Sequence, residues 1–150
     1  MGYFFFILAL IVDSSCDNTF DYNSKAINSP NYPREYPKTK HCTWNVTAPI
    51  GSIIIVERFH YSIENSSNCG FDRLKLYDGS SNHSVVDLCG ESSFSGMTST
   101  INNLYFEFKS DGSNSFKGFQ ITFSIVGMKW MTLIFEDHIR NSYITKKEYN

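Results

Sequence analysis

The chain has 150 residues, a formal net charge of −2, 41% hydrophobic residues and 16% aromatic residues. This length accommodates one domain, and the weak net charge argues against nucleic acid as a main partner, because phosphate backbones attract clustered positive charge. The 13 Phe and 9 Tyr residues favour β-strands, since aromatic side chains suit pleated, half-buried surfaces.

The N-terminus is almost continuously apolar from Tyr3 to Val12. A run of this length is typical of a secretory signal and is too short to span a bilayer, which takes about 20 residues. Val12 and Ser14 are small enough for the positions before a cleavage site. We predict a signal peptide over residues 1–14, cleaved after Ser14, and hence a secreted, extracellular protein. No Lys or Arg precedes the run, and a buried N-terminal strand is the alternative interpretation.

After this segment, apolar and polar residues alternate with period two, and turn residues interrupt the pattern at about the spacing of short strands. The alternation predicts strands over residues 42–47, 73–77, 104–109 and 118–125, and the apolar β-branched run over residues 52–59 is typical of a central strand. For residues 104–109 the pattern leaves open which face is buried. Short strands with regular turns, and no helical pattern before residue 125, predict an all-β sandwich or barrel.

Two segments depart from this alternation. Residues 28–37 contain Pro30, Pro33 and Pro37, and proline cannot donate to a strand ladder, so we expect an ordered extended loop. Residues 126–150 have no strand pattern, and their apolar stretch is too short to span a membrane. We interpret them as a short helix or a disordered tail outside the core.

Four cysteines follow the signal: Cys16, Cys42, Cys69 and Cys89. An even number of cysteines behind a secretory signal predicts two disulfides, although their spacing alone does not choose among the three pairings. There is no CxxC pair and no paired-histidine motif, which argues against a zinc site.

A set of short motifs resembles the CUB domain family over residues 16–125. In order, the matching pieces are Cys16, AINSPNYPREYP at 26–37, CTWNVTAPIG at 42–51, the IEN segment to Cys69, FDRLKLYDG at 71–79, LCG at 88–90, LYFEFKSDGS at 104–113 and GFQITF at 118–123. The resemblance implies a jelly-roll sandwich of two antiparallel sheets and the disulfides Cys16–Cys42 and Cys69–Cys89. The chain departs from the family in having no glycine before Ile27.

The resemblance also implies a Ca²⁺ site at one end of the sandwich. The family pattern falls on five ligand positions: Glu64, Asp72, Asp111, Ser113 and Asn114. Tyr36 matches the tyrosine that supports these ligands by hydrogen bonding to a carboxylate. Calcium prefers six to eight oxygen ligands, and a divalent cation removes the repulsion between carboxylates from separate loops. The alternative is that these are ordinary solvated acids at loop ends.

By the same resemblance, the calcium-organised carboxylates accept a Lys or Arg from an extracellular partner protein. We therefore expect a protein-recognition module and not an enzyme, since the histidines are scattered and no GxSxG motif is present. One alternative is a calcium-independent secreted protein that binds glycoproteins or carbohydrates, like the spermadhesins. Another is a truncated product of a multidomain protease that contains CUB domains.

Three Asn-x-Ser/Thr sequons occur, at Asn45, Asn65 and Asn82, and each is a candidate glycosylation site in a secreted chain. Asn45 falls on the polar face of the strand predicted over residues 42–47, which suits a glycan. Asn65 adjoins Glu64, so a glycan there would obstruct the acidic site.

Overall fold

The computed structural model describes residues 10–16, 20–21, 25–79 and 86–127. Its strands in chain order are β1 (Ile11–Ser14), β2 (Phe20–Asp21), β3 (Ala26–Asn28), β4 (His41–Thr47), β5 (Ser52–Ile63), β6 (Arg73–Asp78), β7 (Val86–Leu88), β8 (Gly90–Phe94), β9 (Met97–Thr98), β10 (Asn103–Lys109) and β11 (Gly118–Gly127). A 3₁₀ turn, Ser67–Cys69, lies between β5 and β6. The expectations for Asn82 and for residues 128–150 lie outside the described residues.

The strands form two antiparallel sheets. The five-stranded sheet has the order β1-β4-β10-β6-β7, and the six-stranded sheet has the order β2-β3-β11-β5-β8, with β9 also paired to β5. The predicted all-β sandwich of two antiparallel sheets is confirmed. In the part of the chain that the structure describes, no helix is long and apolar enough to cross a membrane.

The inner faces of both sheets supply the core, as the period-two pattern requires. On β10 the structure resolves the question left open by the sequence, because Leu104, Phe106 and Phe108 face inward and are fully buried. The Trp44 ring on β4 packs edge-on against Phe119 on β11, with 5.4 Å between ring centroids, and so joins the two sheets.

Strand β5 runs past the predicted end at residue 59 and contains a bulge. Its register with β11 shifts by one residue at Glu57. The buried positions change phase there, from Ile54 and Val56 before the bulge to Phe59 and Ile63 after it. A bulge adds one residue and restores the inward alternation beyond it. The longer strand carries the chain directly to Glu64.

The observed strands extend beyond the predicted domain boundaries at both ends. Residues 11–14 form β1 and pair with β4, and Leu10 before them is buried. This arrangement corresponds to the N-terminal strand considered as the alternative to a signal peptide. Cleavage after Ser14 stays a prediction, and it would remove β1. At the other end, β11 continues to Gly127, beyond the predicted boundary at residue 125.

Both disulfides pair as the family resemblance implies. Cys16–Cys42 and Cys69–Cys89 each have a Cα–Cα distance of 5.5 Å and close segments of 26 and 20 residues. In the chain-entropy account, loops of this size stabilise the folded state by about 3 kcal/mol each. Cys16–Cys42 ties the N-terminal segment to the start of β4, and Cys69–Cys89 ties the loop after β5 to the strands that follow β6.

Candidate metal centre at the acidic end of the sandwich

Three carboxylates meet at one end of the sandwich. Glu64 follows the last residue of β5, Asp72 precedes β6, and Asp111 lies in the loop between β10 and β11. One oxygen from each carboxylate lies within 4.8 Å of the other two. Glu64 and Asp72 are buried, with 6% and 0% of their surface exposed, whereas Asp111 is partly exposed. Strand ends therefore bring together acids that are up to 47 residues apart in the sequence.

Asp72 is the most constrained of the three acids. The Tyr36 hydroxyl donates to Asp72 Oδ2 at 2.6 Å, and the backbone N–H of Asp111 donates to Asp72 Oδ1 at 2.6 Å. The same Tyr36 oxygen accepts the backbone N–H of Glu64 at 3.1 Å. Tyr36 is buried and its ring packs on Phe108, which holds the hydroxyl in place. Tyr36 therefore links two of the three acidic positions through hydrogen bonds.

Neutral donors from the loop after β10 hold the other two acids. Ser113 donates to Asp111 Oδ1 from both its backbone N–H, at 2.7 Å, and its hydroxyl, at 2.6 Å. The Asn114 Nδ2 group donates to Glu64 Oε1 at 2.6 Å. The Ser113 hydroxyl also lies 3.5 Å from Glu64 Oε2, but with one proton it bonds at the shorter contact.

The end of the proline-rich segment and the residues that follow it support the acidic loop. Thr39 N–H donates to the Asp111 carbonyl at 2.7 Å. The Ser110 hydroxyl donates to the Pro37 carbonyl at 2.8 Å and accepts the Lys40 N–H at 2.9 Å. Ser110 therefore couples the proline-rich segment to the site. The position of Ser110 directly before Asp111 was the one sequence signal that could have indicated this coupling.

Burial and hydrogen bonding shift the acids in different directions. Burial raises the pKa of Asp72 above its ordinary value, and the donors Tyr36 and Asp111 N–H only partly oppose this. Burial, followed by the hydrogen bond to Asp72, also raises the pKa of Tyr36, so its hydroxyl stays protonated. The Ser113 hydrogen bonds lower the pKa of Asp111. Asp72 therefore carries its charge at a free-energy disadvantage in the absence of a cation.

Among the residues that the structure describes, no basic side chain forms an ion pair with the cluster, and Lys38 contributes only a weak electrostatic attraction that helps to lower the pKa of Asp111. The ion pairs in this part of the chain are His41–Glu107, Lys75–Asp87 and Lys109–Glu107. The donor set consists of oxygens, which suits a hard cation such as Ca²⁺ and not a thiolate-preferring metal. A carboxylate oxygen that accepts one hydrogen bond keeps a lone pair for a metal, so the observed bonds are compatible with an ion.

The structure places the predicted site residues in two groups. Glu64, Asp72, Asp111, Ser113, Asn114 and Tyr36 converge at the acidic end. Of the sequons, Asn45 is exposed on the outer face of β4, and Asn65 is exposed in the loop directly beside Glu64. Asn82 lies outside the described residues.

The family model for the CUB domain matches residues 16–123. Human tolloid-like protein 1 is 34% identical over 114 residues, which are 75% of this chain and 11% of the relative. Rat cubilin is 35% identical over 102 residues, which are 66% of this chain and 3% of cubilin. The chain thus spans a small fraction of the length of these relatives.

Solved structures show the same fold. The CUB1-EGF-CUB2 region of human MASP-1/3 matches with a TM-score of 0.59 and 28% identity, covering 69% of this chain and 42% of that one. The MASP-1 CUB2 domain, solved with Ca²⁺ bound, matches with a TM-score of 0.59 and 25% identity, covering 72% of this chain and 98% of that one. With a family match over most of its length and this architecture, the chain belongs to the CUB domain family.

Proposed function

We propose that this protein is a secreted recognition module whose acidic end binds Ca²⁺ and then a basic side chain of an extracellular partner protein. CUB domains are protein–protein interaction modules of extracellular proteins. The observation that carries the proposal of calcium and basic-partner binding is the convergence of three carboxylates within 4.8 Å. The two disulfides support an oxidising compartment, because such bonds persist outside the cytosol.

Calcium supplies the charge that the cluster lacks. Glu64, Asp72 and Asp111 provide carboxylate oxygens, and the Ser113 and Asn114 region can complete the shell, as it does by resemblance in the family. When bound, the ion neutralises the repulsion between the acids and ties three loops together. The relative solved with Ca²⁺ supports this assignment. We expect a weak site, with a dissociation constant on the order of 10⁻⁴ to 10⁻³ M, as in other extracellular modules.

The partner chemistry follows from the remaining charge. Three carboxylates and one divalent cation leave a net charge of −1 at a partly exposed rim, where Asp111 reaches solvent. A Lys or Arg of a partner would form charge-assisted hydrogen bonds there. Because the loops are already ordered by calcium and by Tyr36, little side-chain freedom is lost on binding.

The CUB domain itself is a non-catalytic module. Relatives include a zinc metalloproteinase of Caenorhabditis elegans, but the match covers 67% of this chain and 11% of that relative. The family match lies within residues 16–123. We therefore propose recognition, and not proteolysis, as the activity of this chain.

The calcium proposal is tested by thermal unfolding of the secreted protein in 10 mM CaCl₂ and in EDTA. If calcium binds with the expected affinity, 10 mM stabilises the fold by about 1.4–2.7 kcal/mol, an increase of roughly 5–10 °C in Tm. Asp111→Ala should abolish the increase, and the matched control Glu107→Gln should keep it. Equal Tm values with and without calcium in the wild type would overturn the proposal.

The basic-partner proposal uses a separate probe. A lysine-rich peptide on a surface should retain the wild-type protein in calcium and release it in EDTA. The same peptide with acetylated lysines, which lack the positive charge, should retain none. Retention that ignores acetylation or calcium would contradict this part of the proposal while leaving the metal site intact.

One observation favours the calcium-independent alternative. A groove of about 400 Å³ lies on the outer face of the six-stranded sheet, and its lining residues include Tyr32, His60, Glu91, Ser93 and Lys117. An aromatic ring beside several hydrogen-bonding groups is a surface that suits a sugar. Glycan-array binding in EDTA that is lost in Tyr32→Ala and kept in Asp111→Ala would favour this function. The third alternative, a part of a multidomain protein, is tested by the mass of the natural product.

A further inference from the structure

A row of three side chains crosses the outer face of the five-stranded sheet from one sequon. In register, Asn45 on β4 lies opposite Tyr105 on β10, and Tyr105 lies opposite Tyr77 on β6. Asn45 is exposed while its neighbours Trp44 and Val46 are buried, so the row faces away from the core. Adjacent strands lie about 4.8 Å apart, and the row from β4 to β6 is therefore about 10 Å long, close to two sugar rings.

The hydrogen bonding of Asn45 leaves room for a glycan. Asn103 Nδ2 donates to Asn45 Oδ1 at 2.6 Å and to Thr47 Oγ1 at 3.0 Å. An N-linked glycan is attached at Nδ2, the other atom of the Asn45 amide, so Oδ1 can continue to accept from Asn103. Asn103 thus holds both the Asn and the Thr of the sequon on the outer face, with the attachment atom compatible with a sugar.

The two tyrosines provide an apolar platform beside the sequon. Their rings form an edge-to-face pair with 5.5 Å between centroids, and both side chains are partly exposed. A pyranose ring presents a face of C–H groups, which carry partial positive charge and pack on the negative face of an aromatic ring. Cross-strand neighbours have Cβ atoms about 4.5–5.5 Å apart, which is within reach of the first sugar on Asn45.

We propose that Asn45 carries an N-linked glycan whose first sugars pack on Tyr105 and Tyr77 and cover the outer face of the five-stranded sheet. This inference rests on the secreted location proposed above. It confines recognition to surfaces away from this sheet, such as the acidic end. Asn65 provides a comparison, because it lies in the loop that follows β5 and not on an aromatic row. Its side chain lies beside Gly90 at the start of β8.

The test expresses the full chain in cultured animal cells and measures glycan occupancy by mass spectrometry in both the medium and the cells. Thermal unfolding then compares Asn45→Gln, Tyr105→Thr and the double variant. We expect occupancy at Asn45, and a decrease in Tm of about 2–5 °C for Asn45→Gln in the wild-type background. In the Tyr105→Thr background the decrease should fall below about 1 °C, because the packing partner is already gone.

Two controls separate packing from a general glycan effect. Tyr105→Phe keeps an aromatic face and should keep the full effect of Asn45→Gln, whereas Asn65→Gln should change Tm by less than about 1 °C in either background. Glycan at Asn65 with none at Asn45, or equal Tm decreases in both Tyr105 backgrounds, would overturn the inference alone. Absence of the protein from the medium, together with no glycan at any sequon in the cells, would overturn the proposed location as well as this inference.

Discussion

The domain contains two clusters of ionisable groups that balance carboxylate charge in opposite ways, one with three carboxylates and one with the single carboxylate of Glu107 and two basic neighbours. At the acidic end, Asp72 accepts only neutral donors, the Tyr36 hydroxyl and the Asp111 N–H, both at 2.6 Å. On the outer face of the five-stranded sheet, Glu107 Oε1 instead meets two basic groups, His41 Nε2 at 2.8 Å and Lys109 Nζ at 2.7 Å. The second cluster contains a cation, the Lys109 ammonium, beside the His41 imidazole, whereas no described basic side chain forms an ion pair with the first cluster.

The pKa shifts follow this difference. Burial acts to raise the pKa of both acids. For Asp72 burial prevails and the pKa lies above its ordinary value. For Glu107 the hydrogen bonds from Lys109 and His41 outweigh burial, and the pKa lies below its ordinary value. A buried carboxylate without a cation is costly, so the comparison identifies the acidic end as the place where a cation from outside would stabilise the protein most.

The largest expected effect concerns deletion of each carboxylate in saturating calcium. Asp72→Ala should lower the free energy of unfolding by about 3 kcal/mol, because it leaves buried donors unpaired and removes a proposed metal ligand. Glu107→Ala should lower it by about 1 kcal/mol or less, because its partners can turn to water. Urea denaturation measures both values. Equal losses would mean that the two clusters do not differ in the way described.

A smaller effect is expected from the tyrosine hydroxyls that contact each cluster. Tyr36→Phe removes a group that donates to Asp72 and accepts from Glu64, and should weaken calcium affinity by about 10-fold. Tyr77→Phe removes a longer contact, 3.4 Å to Glu107 Oε2, and should leave calcium affinity unchanged. Calorimetric titration with CaCl₂ distinguishes the two variants. A loss of affinity in Tyr77→Phe would contradict the assignment of calcium to the acidic end.

The smallest effect is a pH dependence of opposite sign in the two clusters, measured without calcium. Glu107 has a lowered pKa, so its contribution to stability is present above its unfolded pKa of about 4.5 and is lost as pH falls through the lower folded value. Asp72 has a raised pKa, so its contribution is present below its unfolded value of about 3.9 and is lost as pH rises through the folded value.

The matched variants separate these two contributions in thermal unfolding scans from about pH 3 to pH 7. Glu107→Gln should reduce the loss of Tm on acidification, relative to the wild type. Asp72→Asn should reduce the loss of Tm that accompanies a rise in pH from about 3 to 7. It should also abolish the response of Tm to added calcium. If both variants changed the pH dependence of Tm in the same direction, Asp72 and Glu107 would not have pKa shifts of opposite sign.

Much of this fold was predictable from alternation and motif order. The strands over residues 42–47, 73–77, 104–109 and 118–125 have strict period-two patterns, and each appears as a strand with little change in its bounds. The end of β5 was not predictable from the sequence. The bulge at Glu57 reverses which residues face inward and so interrupts the period-two pattern. The shortest strands, such as β9, have too few residues for any period to emerge.

The candidate site was predictable in its members but not in its connections. The family resemblance named Glu64, Asp72 and Asp111, and the structure brings their oxygens within 4.8 Å. The Tyr36 hydroxyl bridges Asp72 and the Glu64 backbone, and Ser110 couples two loops. Both connections join atoms that are far apart in the sequence. No local pattern specifies such contacts, because hydrogen-bond geometry arises only when the loops are packed together.

By itself, the sequence determined the strand periodicity, the supply of apolar residues for two inner faces, and the acids and cysteines available, because these properties reside in residue type and spacing. Tertiary structure alone decided which face of β10 is buried, where β5 changes phase, and that Asp72 is buried with neutral donors while Glu107 pairs with Lys109 and His41. The reason is physical: charge compensation and burial depend on distances between groups from different strands, and folding sets those distances.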